Sequence, residues 1–394
     1  MAVVRLCGFE SAAALSDGIS TFSQVSGTFA WDTSVVRSGA RSFHCTVINS
    51  NSGGGCSLAS PSAPAHSFVH FGFRVASMPA GGSNQKTIYS RSDQAGTINI
   101  RLNSTGTLGI YLQNTLIGTT ATTLSLDTWY WIGIRVVTGS SVEWLQIDGV
   151  DAGVVGSATV TTIHSNFGFF DASGPQAAAD AYWDDILLDN ASFVAPSKIV
   201  TLSPISDNAR ATLWTGGAGG TTSLFEAVNN EPPVGTATET NTTQIEHAGG
   251  AAGTTDAYDA NMTSYSTAGI AAADTVTALQ YSIIHGEDIN TGTKLLNFSI
   301  VSNPTQASGI ANFAAGADAG ALGTFPSTWT RAQNTLVESP AVTKGTSPVM
   351  RVVRPETASR VASVCYMEIA VAYQEAIVVP YVPRVHPYRQ VMVQ

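Results

Sequence analysis

The run Trp129-Tyr130-Trp131-Ile132-Gly133-Ile134-Arg135-Val136-Val137, a turn over 138–141, and Val142-Glu143-Trp144-Leu145-Gln146-Ile147-Asp148 spell out a β-hairpin. Residues two apart in a strand share a face, so Tyr130, Ile132, Ile134 and Val136 form an apolar stripe, with Leu145 and Ile147 on the second arm. Closing the turn with Val137 opposite Val142 sets Ile134 across from Leu145 and Ile132 across from Ile147. That face is core. The same register puts Arg135 opposite Trp144 and Gly133 opposite Gln146 on the other face, with Trp131 farther along. A guanidinium over an indole contributes roughly 0.5 to 1 kcal/mol when exposed, so this face is not ordinary polar surface. Either a neighbouring loop or the second half of the chain packs on it, or a glycan or protein ligand binds there. Trp131, Arg135 and Trp144 are therefore candidate ligand or interface residues.

Short alternating runs bounded by Gly, Ser, Asn or Pro surround this hairpin, the pattern of an antiparallel sandwich. Val69, Phe71, Phe73 and Val75 alternate with His70, Gly72 and Arg74, which places His70 at a solvent-facing or edge position. Ile98 to Leu102 and Leu108 to Gln113 flank the turn Asn103-Ser104-Thr105-Gly106 and continue through Leu116 to Leu126 into the central hairpin, as a meander. Phe167 to Phe170 reads as a buried strand, and Tyr182 to Leu188 as the strand that closes the unit.

At 394 residues the chain exceeds what a single core usually supports, and two domains are expected. Only 12% of residues are charged while 44% are hydrophobic, so the surface relies on hydroxyls and small side chains around a sizeable core. A net charge of -10 with four scattered lysines argues against nucleic acid as a partner. No apolar run approaches the ~20 residues of a membrane helix, and no secretory signal is read at the start. Cys7, Cys45, Cys56 and Cys365 lack metal or disulfide-framework spacing and are expected as reduced, mostly buried thiols of a protein folded in a cytoplasm.

The expected organisation is a first sandwich over 1–195, a second over 196–375 and an extended C-terminal arm over 376–394. In the second unit, 208–272 is rich in Gly, Ala, Thr and Asn and reads as turns and surface loops around the apolar segment Leu224 to Val228. Clearer strands are expected at Val276 to His285, Leu295 to Val301 and Val361 to Tyr373. In the last, Cys365, Met367, Ile369 and Val371 share one face. The arm carries Pro380, Pro383 and Pro387, which forbid a helix, together with Tyr381, Arg384, Tyr388 and Arg389 as candidate subunit contacts. Folding back over its own domain is the competing expectation for the arm.

Gly8-Phe9-Glu10, Ser38-Gly39-Ala40-Arg41-Ser42, Gly106-Thr107-Leu108, Thr128-Trp129-Tyr130, Ile147-Asp148-Gly149 and Trp183-Asp184-Asp185-Ile186, in this order and spacing, resemble the laminin-G-like or concanavalin-A-like jelly roll. Trp214-Thr215-Gly216, Glu231-Pro232-Pro233, Asp256-Ala257-Tyr258 and the Glu368 to Tyr373 strand look like the domain that follows such jelly rolls in tailed-bacteriophage virion proteins. The resemblance implies an all-β chain of two tandem jelly-roll sandwiches. Its implied role is a non-enzymatic structural protein of a tailed-phage virion, made in the host cytoplasm and placed on the tail as a fibre or on the head as a decoration. Implied partners are other virion proteins, further copies of the chain (a trimer suits a fibre or knob) and a host-surface glycan. The alternative is a freestanding carbohydrate-binding module or adhesin.

Some relatives hold a structural calcium, which Glu10 with Asp184 or Asp185 would imitate; otherwise Asp184 caps backbone donors and Asp185 faces water. The Glu-x-Asp-x-x-Glu run of the glucanase branch is missing. Glu143 and Asp148 lie five apart on opposite faces, whereas retaining hydrolysis needs carboxyls about 5 Å apart. No nucleophile elbow, zinc-protease motif or phosphate loop occurs, so neither catalysis nor a cofactor is expected.

Overall fold

The computed structural model describes residues 3–8, 19–24, 27–47, 53–58, 67–80, 85–92, 97–112, 115–135, 142–143, 145–156, 165–170, 178–210, 214–216, 223–228, 244–247, 256–287, 294–301, 309–313, 328–333, 337–338, 340, 342–354 and 362–376. Across the central hairpin the observed pairs are Ile132 with Ile147, Gly133 with Gln146 and Ile134 with Leu145. This is the register expected from alternation alone. The second arm differs in extent. Leu145–Ile147 stays with Trp129–Arg135, whereas Val142–Glu143 pairs with Val155–Gly156 as a separate ribbon.

Trp129–Arg135 lies inside an eight-stranded antiparallel sheet. The strand order is Val150–Asp151, Leu145–Ile147, Trp129–Arg135, Phe68–Ser77, Ala179–Asp189, Ser42–Val47 and Gly27–Asp32, with Val3–Cys7 also pairing to Ala179–Asp189. A seven-stranded sheet stacks against it, ordered Thr115–Thr123, Thr107–Leu112, Thr97–Asn103, Gln85–Ser92, Ser165–Phe170, Gly53–Leu58 and Ile19–Gln24. The meander runs through the first four of these strands. The chain then crosses to the opposite sheet for the central hairpin, so the hairpin faces the meander rather than extending it. Between the sheets Phe71, Phe73, Ile100, Ile110, Ile132 and Trp183 are fully buried or nearly so, among the other members of one apolar cluster. Burying such side chains contributes roughly 1.5 to 3 kcal/mol each.

The second sandwich stacks another seven-stranded sheet on a five-stranded one. Its centre is the long pair Thr275–Glu287 and Ala362–Gln374, which sends Leu279, Tyr281, Ile283, Met367, Ile369 and Val371 into the core. Cys365 departs from expectation. It is buried, but it clusters with Ile284 and Tyr366 apart from that core. The ladder passes from Ile284 with Tyr366 to His285 with Val364, so Cys365 is the extra residue of a bulge and the alternation breaks there. Among its described residues the glycine-rich region is more regular than its composition suggests, holding the end of Pro204–Arg210 and all of Trp214–Gly216, Ile245–His247 and Asp256–Met262 as strands. Leu224–Val228 is a helical turn whose first amides, Leu224 and Phe225, donate to the Asp207 carboxylate at 3.0 and 2.7 Å.

The two sandwiches share a seam. Lys198–Leu202 joins the edge of Ala362–Gln374 a few residues after the last strand of the first sandwich ends. Leu6, Trp131, Leu187 and Val194 then pack with Ile199, Ala278, Ala370 and Ala372 in one buried cluster. Three alanines on the outer face of the second sheet leave room for the larger side chains of the first. The Leu6 amide also donates to Gln280 Oε1 at 3.2 Å across the seam.

Candidate functional site

The outer face of the central hairpin is covered. Trp131 is 1% exposed, its indole N–H donates to the Val194 carbonyl at 3.0 Å, and the Arg37 guanidinium lies 4.9 Å above its ring. The segment linking the sandwiches passes over it, so Trp131 is not a ligand platform. Arg135 sits over Phe68 at 5.4 Å, its cross-strand neighbour on the side away from the hairpin. Trp144 lies outside the described residues, as do Tyr381, Arg384, Tyr388 and Arg389 of the arm. His70 also differs from expectation, being fully buried. It stacks 5.8 Å from Trp131, and its Nε2 accepts the Val194 amide at 3.0 Å. Burial holds its pKa down to about 3.

Asp184 and Asp185 are both fully buried. Asp185 has φ of 51°, and the register shifts between Asp184 and Leu187. This bulge turns two consecutive aspartates toward the same seam. Asp184 Oδ2 accepts the Arg37 and Ser38 amides at 2.8 and 3.3 Å, which is the capping role expected of it. Asp185 does not face water. Its Oδ1 accepts the Ile199 amide at 2.7 Å and the Ser38 hydroxyl, and its Oδ2 accepts Arg37 Nη1 at 2.6 Å. The positive charge beside these carboxylates is a guanidinium that also donates to the Ser197 carbonyl. Glu10 lies outside the described residues.

An uncovered aromatic occurs on the opposite sheet. Because Ile100 and Ile110 point into the core, their neighbours Asn99, Arg101, Gly109 and Tyr111 point outward. The cross-strand pairs Leu116 with Tyr111, Tyr111 with Asn99, Asn99 with Ser90 and Ser90 with Asn166 make one row over five strands. At about 4.8 Å per strand the row is about 19 Å long. Arg101 Cζ lies 3.9 Å from the centre of the Tyr111 ring. Arg101 is 3% exposed while Tyr111 is half-buried, so the ring lies above the guanidinium and turns its other face outward.

Three contacts fix that ring. Its hydroxyl donates to Gln85 Oε1 at 2.7 Å, and the cation beneath attracts its face. Gly109 supplies the third, since a Cβ there would come within 2.9 Å of Tyr111 Cε2. Burial pushes the Arg101 pKa down, opposed by its contact with Tyr111. Half-exposed Asn99 and Gln85 add amide donors and acceptors beside the ring, Asn166 adds another three strands along the row, and Leu116, 49% exposed, adds an apolar shoulder. A rigid aromatic plate flanked by amides suits a flat partner carrying both C–H faces and hydroxyls. The hairpin that carries Tyr111 is legible in the sequence. The usable signal for the site was the outward set Asn99, Arg101, Gly109 and Tyr111, in which a glycine faces an arginine beside an aromatic.

No family model matches the sequence, and no curated protein matches it. Among solved structures, the cellulose-induced protein Cip1 is similar at 18% identity over 43% of this chain and 88% of its own, with a TM-score of 0.35. The carbohydrate-binding module CBM66 from Bacillus subtilis is similar at 13% identity over 43% of this chain and 93% of its own, with a TM-score of 0.29. The CBM22 tandem of Paenibacillus barcinonensis Xyn10C is similar at 11% identity over 93% of this chain and 97% of its own, with a TM-score of 0.24. The strand order itself gives an all-β chain of stacked antiparallel sheets.

Proposed function

We propose that this chain is a non-enzymatic carbohydrate-binding protein, and that the Tyr111 row is its glycan-binding face. The observation that carries the reading is the outward face of Tyr111, backed by the buried Arg101 and pinned through Gln85. A sugar ring stacks its apolar C–H face on such a plate, while its hydroxyls reach Asn99 and Gln85; Asn166, three strands away, is placed for a further residue of a longer glycan. Because the plate is fixed before binding, little side-chain ordering opposes association.

A glycan array followed by titration of the best glycan tests this. Tyr111→Ala is expected to weaken binding at least tenfold and Asn99→Ala less. A chain that binds no glycan, or binds equally well without the Tyr111 ring, overturns the reading.

A second reading places this face on the outside of a tailed-phage particle as a host-adsorbing surface, with further copies of the chain and other virion proteins as partners. It is supported by the order of motifs in both halves. Washed particles would then contain the chain in many stoichiometric copies. Its absence from them rejects the particle role and leaves the binding role standing.

A further inference from the structure

A concave cleft of about 480 Å³ opens at the seam between the two sandwiches, lined by Arg37, Asp148, Pro196, Lys198, Gln374 and Glu375 among others. Its size is within the roughly 300 to 1,000 Å³ of ligand pockets, which favour domain junctions. Residues of the first sandwich, the linking segment and one end of the second sandwich's central sheet meet there, where Lys198 pairs with Tyr373. It shares no residue with the Tyr111 row.

The polar groups of the cleft are already held in place. Arg37, one of the lining residues, is anchored through Nη1 on Asp185 and Ser197. Asp148 sits at a hairpin tip with φ of 52°, and its Oδ1 accepts the Trp131 amide at 2.7 Å. Lys198 Nζ and Glu375 Oε1 pair at 2.6 Å with side chains 26% and 61% exposed. The Ala376 amide donates to Asp274 Oδ1 at 3.0 Å and fixes the strand end that carries Glu375.

Each cation of the wall is already paired, Arg37 with Asp185 and Lys198 with Glu375, so the cleft offers no unmatched cation to an anion. A carboxylate accepts several hydrogen bonds and an ammonium donates three, which leaves both members of the Lys198 and Glu375 pair with spare capacity. A ligand whose every polar group both donates and accepts satisfies such a wall, and an array of hydroxyls does this without bringing charge. We infer that the junction cleft is a second binding site, for a neutral polyhydroxylated ligand of mono- to disaccharide size that bridges the two sandwiches. This inference does not rest on the Tyr111 reading.

Calorimetric titration of the full chain with glucose, galactose, N-acetylglucosamine, lactose and cellobiose tests it, with glucuronate and glucosamine as charged arms. At least one neutral sugar is expected to bind, with at least tenfold loss in Lys198→Met and a smaller loss in Glu375→Gln, and both losses are expected to persist in a Tyr111→Ala background, where the cleft is the site that remains. Because the ligand touches both sandwiches, saturation is also expected to raise the unfolding midpoint. The inference is overturned if no neutral sugar binds, if both cleft variants bind like the parent, or if a charged sugar binds more tightly than its neutral counterpart. Binding that disappears in Tyr111→Ala and survives in Lys198→Met assigns the sugar to the other face and overturns it as well. Both cleft side chains are part-exposed, and matching melting curves of the variants show that the fold is kept.

Discussion

Trp131 and Tyr111 occupy equivalent situations on opposite sides of the first sandwich: each is an aromatic on the outer face of a strand, stacked with an arginine. Their order is reversed. Arg37 lies over a Trp131 that is 1% exposed, whereas Tyr111 lies over an Arg101 that is 3% exposed. In the first case the aromatic is structural and fastens the linking segment; in the second the arginine is structural and the aromatic faces outward. The stacking contact alone does not separate function from packing. Which partner is buried does.

The largest expected effect that distinguishes them is on stability. Trp131→Ala removes a fully buried indole from the seam and is expected to destabilise the chain by about 3 to 5 kcal/mol in a denaturant titration. Tyr111→Ala is expected to cost about 1 kcal/mol or less, because it removes a part-exposed ring and one hydrogen bond. Equal costs at the two positions would erase the distinction.

Arg37→Ala leaves the buried Asp185 carboxylate without its cation and is expected to destabilise by about 3 kcal/mol. The loss falls at the seam, so the single unfolding transition is expected to split into two. A variant that still unfolds in one step would show that the apolar cluster holds the sandwiches together unaided.

Acid sharpens the contrast between covered and open faces. His70 beneath the linking segment and His285 in the second sandwich are held down by burial to about 3 and about 4 from an ordinary 6.5. Between those values and about 6.5 the unfolded chain binds more protons than the folded one, so stability is full above 6.5 and falls as pH drops below it. The slope is up to about 1.4 kcal/mol per pH unit for each histidine. His70→Gln is expected to flatten that slope, measured as unfolding midpoint against pH, and an unchanged slope would remove His70 from the account. Protonated His70 can no longer accept the Val194 amide, so amide exchange in 190–197 is expected to rise before that of the sheet cores.

Much of the fold was legible because it depends on period two. The register of Ile132, Ile134, Leu145 and Ile147 follows from alternation and matches the observed pairing, while the expected turn over 138–141 lies outside the described residues. Bulges were not legible, since one inserted residue leaves no compositional mark. Asp185 and Cys365 were therefore misplaced by one face each. The outer faces were half legible: alternation shows that Trp131 points away from the core, but not that eight residues of linker and a distant Arg37 will cover it. His70 was misread for the same reason. Tyr111 was overlooked because nothing in its own strand shows that a neighbouring arginine lies beneath it.

The most direct measurement compares glycan affinity with stability in the parent chain, Tyr111→Phe and Tyr111→Ala. The expected result is a glycan bound by the parent, a modest loss in Tyr111→Phe through its tie to Gln85, and at least tenfold loss in Tyr111→Ala with a nearly parental melting curve. Undiminished glycan binding by a well-folded Tyr111→Ala chain would contradict the claim that this exposed ring is where the protein meets its ligand.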